Sequence, residues 1–378
     1  MPLRDFLSNT WDHIQAGLFP WLAEVLGPLT EMHKKVITTL EMACVEEFVQ
    51  SWFGLPGRPL KDRHALARAF VAKAVVGLPQ TNMLIERLLV DRQLRQLCGW
   101  QRAEHVPSAS TFSRAFAEFS QSELPSRVHE ALIKRTHKER LVGHISRDAT
   151  AIEAREKPVK VEAPEAPKRK RGRPKKGEVV EKKEPRRLER QANMSLAEML
   201  SDLPKHCAVG TKRNAKGHTT SWIGYKLHLD VADGDIPVSG LLTSASLHDS
   251  QAAIPLATIT AGRVINFYDL MDSAYDAPEI SAKSRALGHV PIIDTHPRNV
   301  AGGKAEMKAE ARGRKCAGYE LAEDVRYNER TSAERVNARL KDEFGGRNVR
   351  VRGHAKVLCH LMFGIVALTV DQLMRLII

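Results

Sequence analysis

Residues 155–190 limit what this chain can fold into more than any other stretch. They carry 15 Lys/Arg against 7 Glu and no aromatic residue. A segment of that composition buries too little apolar surface to offset the entropy of ordering it. The 378 residues are therefore expected to fold as two blocks, with residues 156–205 read as a linker or a disordered basic insertion. The same stretch accounts for +8 of the formal net charge of +13. A balance of that sign points to a polyanionic partner, nucleic acid before membrane.

The first block, residues 1–140, reads as all-α. Apolar residues recur at three and four across Phe19–Leu40, Ala43–Phe53 and His64–Leu97. Turn signals at Gly27-Pro28, Leu55-Pro56-Gly57 and Leu78-Pro79 separate these runs. Pro107 and Ser108 open a further helix, with Ser108 or Ser110 as its cap and Phe112 and Phe116 one turn apart. Short helices joined in this way fit either a helix-turn-helix with Arg114 reaching DNA or plain packing in a bundle.

Five cysteines, Cys44, Cys98, Cys207, Cys316 and Cys359, stand without a Cys-x-x-Cys pair. That argues against a disulfide framework or a cysteine zinc site and fits a reducing cytoplasm. The opening MPLRDFLSNTW lacks the apolar core of a signal peptide. The longest apolar run, Val357–Val370, contains His360 and is too short for a bilayer, so a buried core helix is expected.

The second block alternates strands and helices. Leu141–Thr150 reads as a strand that delivers Asp148 near its end. Trp222–Val231 and Ile236–Ser244 read as a hairpin about Asp233-Gly234. Ser246–Asp249 has the form of a capping box for a helix over Ser250–Ile259, which makes His248 a cap-region histidine. Arg263–Met271 reads as a strand ending at Asp272. Asp269 falls on the opposite face of that strand, and Asp276 reads as a cap of the helix Pro278–Leu287. A buried strand, Val290–Ile293, and a basic stretch with His296, Arg298, Lys304, Arg312 and Arg314 follow.

Tyr327–Lys341, YNERTSAERVNARLK, reads as one helix. At about 100° per residue, Tyr327, Arg330, Glu334 and Lys341 share a stripe beside an apolar face of Ala333, Val336, Leu340 and Phe344. On spacing alone this is either an amphipathic helix with a solvated charged edge or a carboxylate held between cations. The second arrangement suits a site for a metal ion and a phosphate backbone.

Two resemblances sharpen the reading. Lys168–Lys176, KRKRGRPKK, resembles an AT-hook, a peptide that binds the minor groove of A·T-rich DNA. Arg171, Gly172, Arg173 and Pro174 can lie extended there, Gly172 leaving room for the backbone and both guanidiniums entering the negative potential of the groove. A generic basic tail that binds any nucleic acid is the alternative. The spacing of Tyr327, Arg330, Glu334 and Lys341 is similar to the Tyr-Arg-Glu-Lys signature of bacterial insertion-sequence transposases of the Asp-Asp-Glu type. Asp272 in DSAYD matches the second aspartate of that family, and Asp148 stands where the first is expected. GYKLHLDV…LHDSQAAIPL and the run Leu97–Phe119 also resemble family stretches, so the likeness covers residues 95–155 and 215–370. The basic insertion is the departure from the pattern.

The resemblance implies an α/β ribonuclease-H-like catalytic domain, a mixed sheet with flanking helices, in residues 141–155 and 206–378. An all-α domain that binds DNA ends would occupy residues 1–140. Asp148, Asp272 and Glu334 would be the catalytic residues and the ligands of two Mg²⁺ ions, with Mn²⁺ as a substitute. Tyr327, Arg330 and Lys341 would hold DNA phosphates. The implied activity is cleavage at terminal inverted repeats and transfer of the 3′-hydroxyl ends to target DNA, by a homodimer in a synaptic complex. Such a protein is expected in the cytoplasm, associated with the nucleoid and away from membranes. Two other readings stay open: a non-catalytic DNA-binding or architectural protein derived from a transposase, and a metal-dependent DNA nuclease without strand transfer.

Overall fold

The computed structural model describes residues 3–50, 62–137, 140–159, 185–213, 217–295 and 303–377. Before the first strand these form α1 (Leu3–Asp12), α2 (Phe19–Leu26), α3 (Glu31–Ala43), α4 (Arg63–Val75), α5 (Thr81–Val90), α6 (Arg92–Cys98), α7 (Ala109–Gln121) and α8 (Leu124–His137). Phe112, Phe116 and Phe119 of α7 gather around Phe70 of α4, with ring centroids 5.8, 5.0 and 6.2 Å away. Ser108 caps α7 by position only, because its hydroxyl lies 3.0 Å from that of Ser110 and not on a helix N–H.

The chain continues through β1 (Leu141–Glu153), α9 (Arg187–Gln191), α10 (Leu196–Asp202), β2 (Ala208–Arg213), β3 (Thr219–Ala232) and β4 (Ile236–Ser244). Then come α11 (Ala253–Ala261), β5 (Ile265–Met271), α12 (Pro278–Ala286), β6 (Val290–Ile293), α13 (Gly303–Cys316), α14 (Ala322–Tyr327), α15 (Thr331–Asp342) and α16 (His354–Arg375). β1 lies between β3, antiparallel, and β5, parallel, and β6 extends the sheet parallel to β5. β4 and β2 both pair antiparallel with β3. At the hairpin tip Gly234 and Asp235 have φ of +76° and +60°, the left-handed conformation that a tight strand reversal requires.

The period-two pattern of β3 decides what covers each face. Tyr225, Leu227, Leu229 and Val231 share one core with Ala333, Val336 and Leu340 of α15 and Leu361, Ile365 and Leu368 of α16. Lys226, His228 and Asp230 fall on the other face, where Asp230 meets Thr260 of α11 and Lys226 meets Asp249. The far side of α16 packs into the helical region, with Phe363 stacked 5.8 Å from Phe70. So α16, apolar and long enough by itself to cross a membrane, is sandwiched between the helices and the sheet. Gly364 is required at that crossing, since a Cβ there would lie 2.5 Å from the carbonyl oxygen of Phe344.

Several expectations need correction. Residues 187–202, assigned to a disordered insertion, form α9 and α10. Their own apolar content is small, but Leu188, Met194 and Met199 dock on Ile254, Tyr275 and Ile280, and Arg187 pairs with Asp202 at 2.6 Å. Burial against a neighbour replaces the core that the segment lacks. β2 was not expected at all. The helix after SLHD begins with a short 3₁₀ turn capped by the His248 ring, and Asp249 pairs with Lys226 at 2.7 Å instead of closing a capping box. Ala277, not Asp276, is the N-cap of α12. β6 is an edge strand with Val290 exposed, because nothing among the described residues pairs beyond it.

Candidate active site

The register of the parallel pair brings the two aspartates together. β1 and β5 are paired as far as Ser146 opposite Leu270, so two residues on, Asp148 stands level with Asp272 just past the end of β5. Parity puts both on the α15 face, as Asp148 pairs with Leu229. Asp272 accepts a hydrogen bond from the Ala274 N–H at 2.9 Å and so caps the 3₁₀ turn Ser273–Tyr275. Asp148 accepts one from the Asn337 amide at 3.3 Å. Burial first, and the Asp272 carboxylate after it, push the Asp148 carboxyl up to about 6. Asp272 is also raised, by burial and by Asp249, against the pull of Arg330 and Lys212.

The second half of the site comes from the chain before and along α15. Tyr327–Lys341 is not one α-helix: α14 ends at Tyr327, Asn328–Arg330 tightens into a 3₁₀ turn, and α15 starts at Thr331. Ser146 donates to the Arg330 carbonyl at 2.6 Å and fixes that turn over the end of β1. The tighter turn brings the Arg330 guanidinium over the Tyr327 ring, 5.6 Å from its centroid. The same guanidinium bonds Glu334 at 2.8 Å. Arg330 is mostly buried while Glu334 stays more than half exposed. Lys341 is half-buried, and burial with Arg347 and Lys212 nearby lowers its pKa.

Asp148, Asp272, Arg330 and Tyr327 therefore share one neighbourhood. Glu334 stands beside it, held by Arg330. No group of three His, Cys, Asp or Glu among the described residues is arranged to hold a metal ion. Arg171, Gly172, Arg173 and Pro174 lie outside the described residues. Three residues here went unnoticed in the sequence. Asn337 was findable, since it sits three after Glu334 on the same helix face. Ser146 was findable too, two before Asp148 on the same strand face. Lys212 was not, because β2 itself was missed.

Residues 145–370, from β1 to α16, match the family described as Transposase DDE domain. The chain belongs to the DDE transposases. Residues 26–118 match a second family, described as Transposase domain (DUF772). Comparison with curated proteins and with solved structures found no match. The mixed sheet with helices on both faces agrees with the ribonuclease-H-like fold that a DDE domain implies.

Members of this family generally depend on a divalent metal. In this transposase the donors fit one: Asp148 and Asp272 offer hard carboxylate oxygens, and burial resists their ionisation without a cation between them.

Proposed function

We propose that this transposase cleaves DNA at the terminal inverted repeats of its insertion sequence and joins the 3′-hydroxyl ends to target DNA. The observation that carries the reading is the pair of level carboxylates, Asp148 and Asp272, each raised by burial and each facing the cation Arg330. Asp148, Asp272 and Glu334 would hold two Mg²⁺ ions (or Mn²⁺), which supply an activated hydroxyl nucleophile and stabilise the leaving oxygen.

The protein's own groups position the strand. Arg330 is already half-desolvated and oriented by the Tyr327 ring, so it exchanges Glu334 for a DNA phosphate at little entropic cost. That exchange also frees Glu334 toward the aspartates. Lys341, with a lowered pKa, gains most from an added anion, and Lys212 faces the same field. The helical region would recognise the repeat ends. Arg171, Gly172, Arg173 and Pro174 would add an A·T-tract contact in the minor groove. A homodimer would synapse the two ends in the cytoplasm.

The test uses the DNA that flanks the gene. Inverted repeats are read from it, and purified protein is incubated with Mg²⁺ and a fragment carrying one repeat, with and without target DNA. Metal-dependent cleavage at the repeat boundary followed by joined product is the expected result. Glu334→Gln should lower cleavage by more than about a thousandfold while repeat affinity stays within about twofold. Cleavage that survives this change removes Glu334 from the chemistry. The pairing of Glu334 with Arg330 favours one second reading, a protein that binds DNA without cutting it. Binding with no cleavage in either metal would establish that reading instead.

A further inference from the structure

A cavity of about 580 Å³ opens between α4, α7 and the segment that links α15 to α16. Phe70, Phe112, Phe116 and Phe363 form an apolar floor, and Lys73 enters it from α4. Arg155, Arg350, Arg352 and Lys356 ring the mouth and are exposed. Among the described residues no Asp or Glu lines it.

Lys73 is the informative residue. It is only 8% exposed, yet no carboxylate among the described residues pairs with it. Burial alone pulls its pKa down to about 8. His360 brings no opposite charge: burial lowers that ring to about 4, so it is neutral, and its Nε2 faces the Gly345 carbonyl at 3.0 Å. An ammonium desolvated without a partner opposes folding. Folding by itself gives no reason for a lysine here, and a leucine or methionine would fill the floor better. An anion that enters from outside supplies the reason.

Two of the chain segments that leave the active site end at this cavity. β1 runs from Asp148 to Glu153 and delivers Arg155. α15 runs through Lys341 and delivers Phe344, Gly345, Arg350 and Arg352. The strand between Asp148 and Glu153 spans about 17 Å at the strand rise, and Arg155 lies past its end, so the cavity is distinct from the carboxylates.

We propose that this cavity is a phosphate-ester site, in which Lys73 and the arginine rim hold the phosphate while the sugar and base side lies on the phenylalanine floor. A volume of this size suits one nucleotide unit. The ligand is a nucleoside phosphate, either as part of a DNA strand or free. The DNA source rests on the function proposed above, and the free source does not.

The test compares the full-length protein with Lys73→Met and with Arg350→Ala/Arg352→Ala. One arm measures anisotropy of a fluorescein-labelled 20-base-pair duplex across a salt series, and the other measures thermal shift with thymidine monophosphate. Loss of duplex affinity by about tenfold or more in both variants, with a salt slope reduced by about one for each lost phosphate contact, supports a DNA phosphate in the cavity. A shift with the monophosphate that Lys73→Met abolishes supports a free nucleotide, and it would do so even if the duplex did not bind. Lys73→Met should also raise the melting temperature without ligand, which separates a lysine kept for binding from one kept for structure. Duplex binding equal in all three proteins, with no monophosphate shift, overturns the site and leaves the transposase reading standing. No binding of either probe to the unaltered protein overturns the site, and the transposase reading is then decided by the repeat-cleavage assay alone.

Discussion

Asp230 and Asp148 lie on adjacent strands of one sheet and face opposite sides of it, and their surroundings could hardly differ more. Asp230 is fully buried, receives two hydrogen bonds from Arg147 at 2.8 and 2.7 Å, and takes a third from Thr260 at 2.5 Å. Asp148, the very next residue after Arg147, receives hydrogen bonds from the Asn337 amide and the Ala149 backbone N–H and faces a second carboxylate. On the α11 face the charge is cancelled on the spot by a bidentate guanidinium. On the α15 face no basic group among the described residues is bonded to Asp148, and Lys212 and Arg330 act on it only through space. The contrast separates a carboxylate that serves folding from one kept short of a cation until something binds.

The largest effect should come from breaking the compensated side. Arg147→Met leaves Asp230 buried and unpaired, and should cost about 3–5 kcal/mol, read as a shift of the urea midpoint. Arg147→Met with Asp230→Leu should recover most of that loss, because both charges leave together. If the single change costs under about 1 kcal/mol, the pair is not a folding contact and the comparison fails.

Acid should weaken the protein next. His228 shares the face of Asp230, and His129 joins α8 to the Pro237 carbonyl at 3.0 Å. Both are fully buried, and burial lowers their pKa to about 4 and about 3 from 6.5. The unfolded chain takes up a proton on each below pH 6.5, and the folded protein does not until its lowered value is reached. Their contribution to stability is thus complete above pH 6.5 and lost as the pH falls toward 4. Each should account for roughly 2–3 kcal/mol at about pH 4.5. Urea midpoints at pH 7 and 4.5 measure it, and His129→Gln/His228→Gln should flatten the slope. An equal midpoint at both pH values would refute the assignment.

How much of this contrast the sequence carried depends on whether the partners are local. The hairpin at Asp233-Gly234 and the strand that delivers Asp272 follow from period-two alternation and turn residues, which act over a few positions. That Asp148 lies on a strand was legible from the alternation of Leu141–Thr150, and its link to Asp272 came only from the family resemblance. Arg147 as the partner of Asp230 was not, because 83 residues separate them and nothing in the sequence states the register. The two helices at 187–202 were hidden by the charge run before them, since their burial is lent by α11 and α12. The stripe from Tyr327 to Lys341 reads as one helix, and spacing alone does not reveal the 3₁₀ turn at Asn328–Arg330. The phosphate cavity draws on positions 73, 155, 350, 352 and 356, and only the fold gathers them.

The smallest effect has the opposite sign and tests the other half of the comparison. Asp148→Asn removes a half-buried carboxylate that no cation is bonded to, so metal-free protein at neutral pH should gain about 1 kcal/mol of stability. The asparagine keeps an oxygen to accept from Asn337 and adds an N–H₂ that can donate to Asp272. Its gain should shrink when Mg²⁺ is added, because the unaltered protein is then stabilised by binding and the variant is not. Repeat cleavage should be lost in the same variant. A protein that becomes less stable on this change, in the absence of metal, has a carboxylate at Asp148 that is already compensated like Asp230. The distinction between the two faces would then have to rest on catalysis alone.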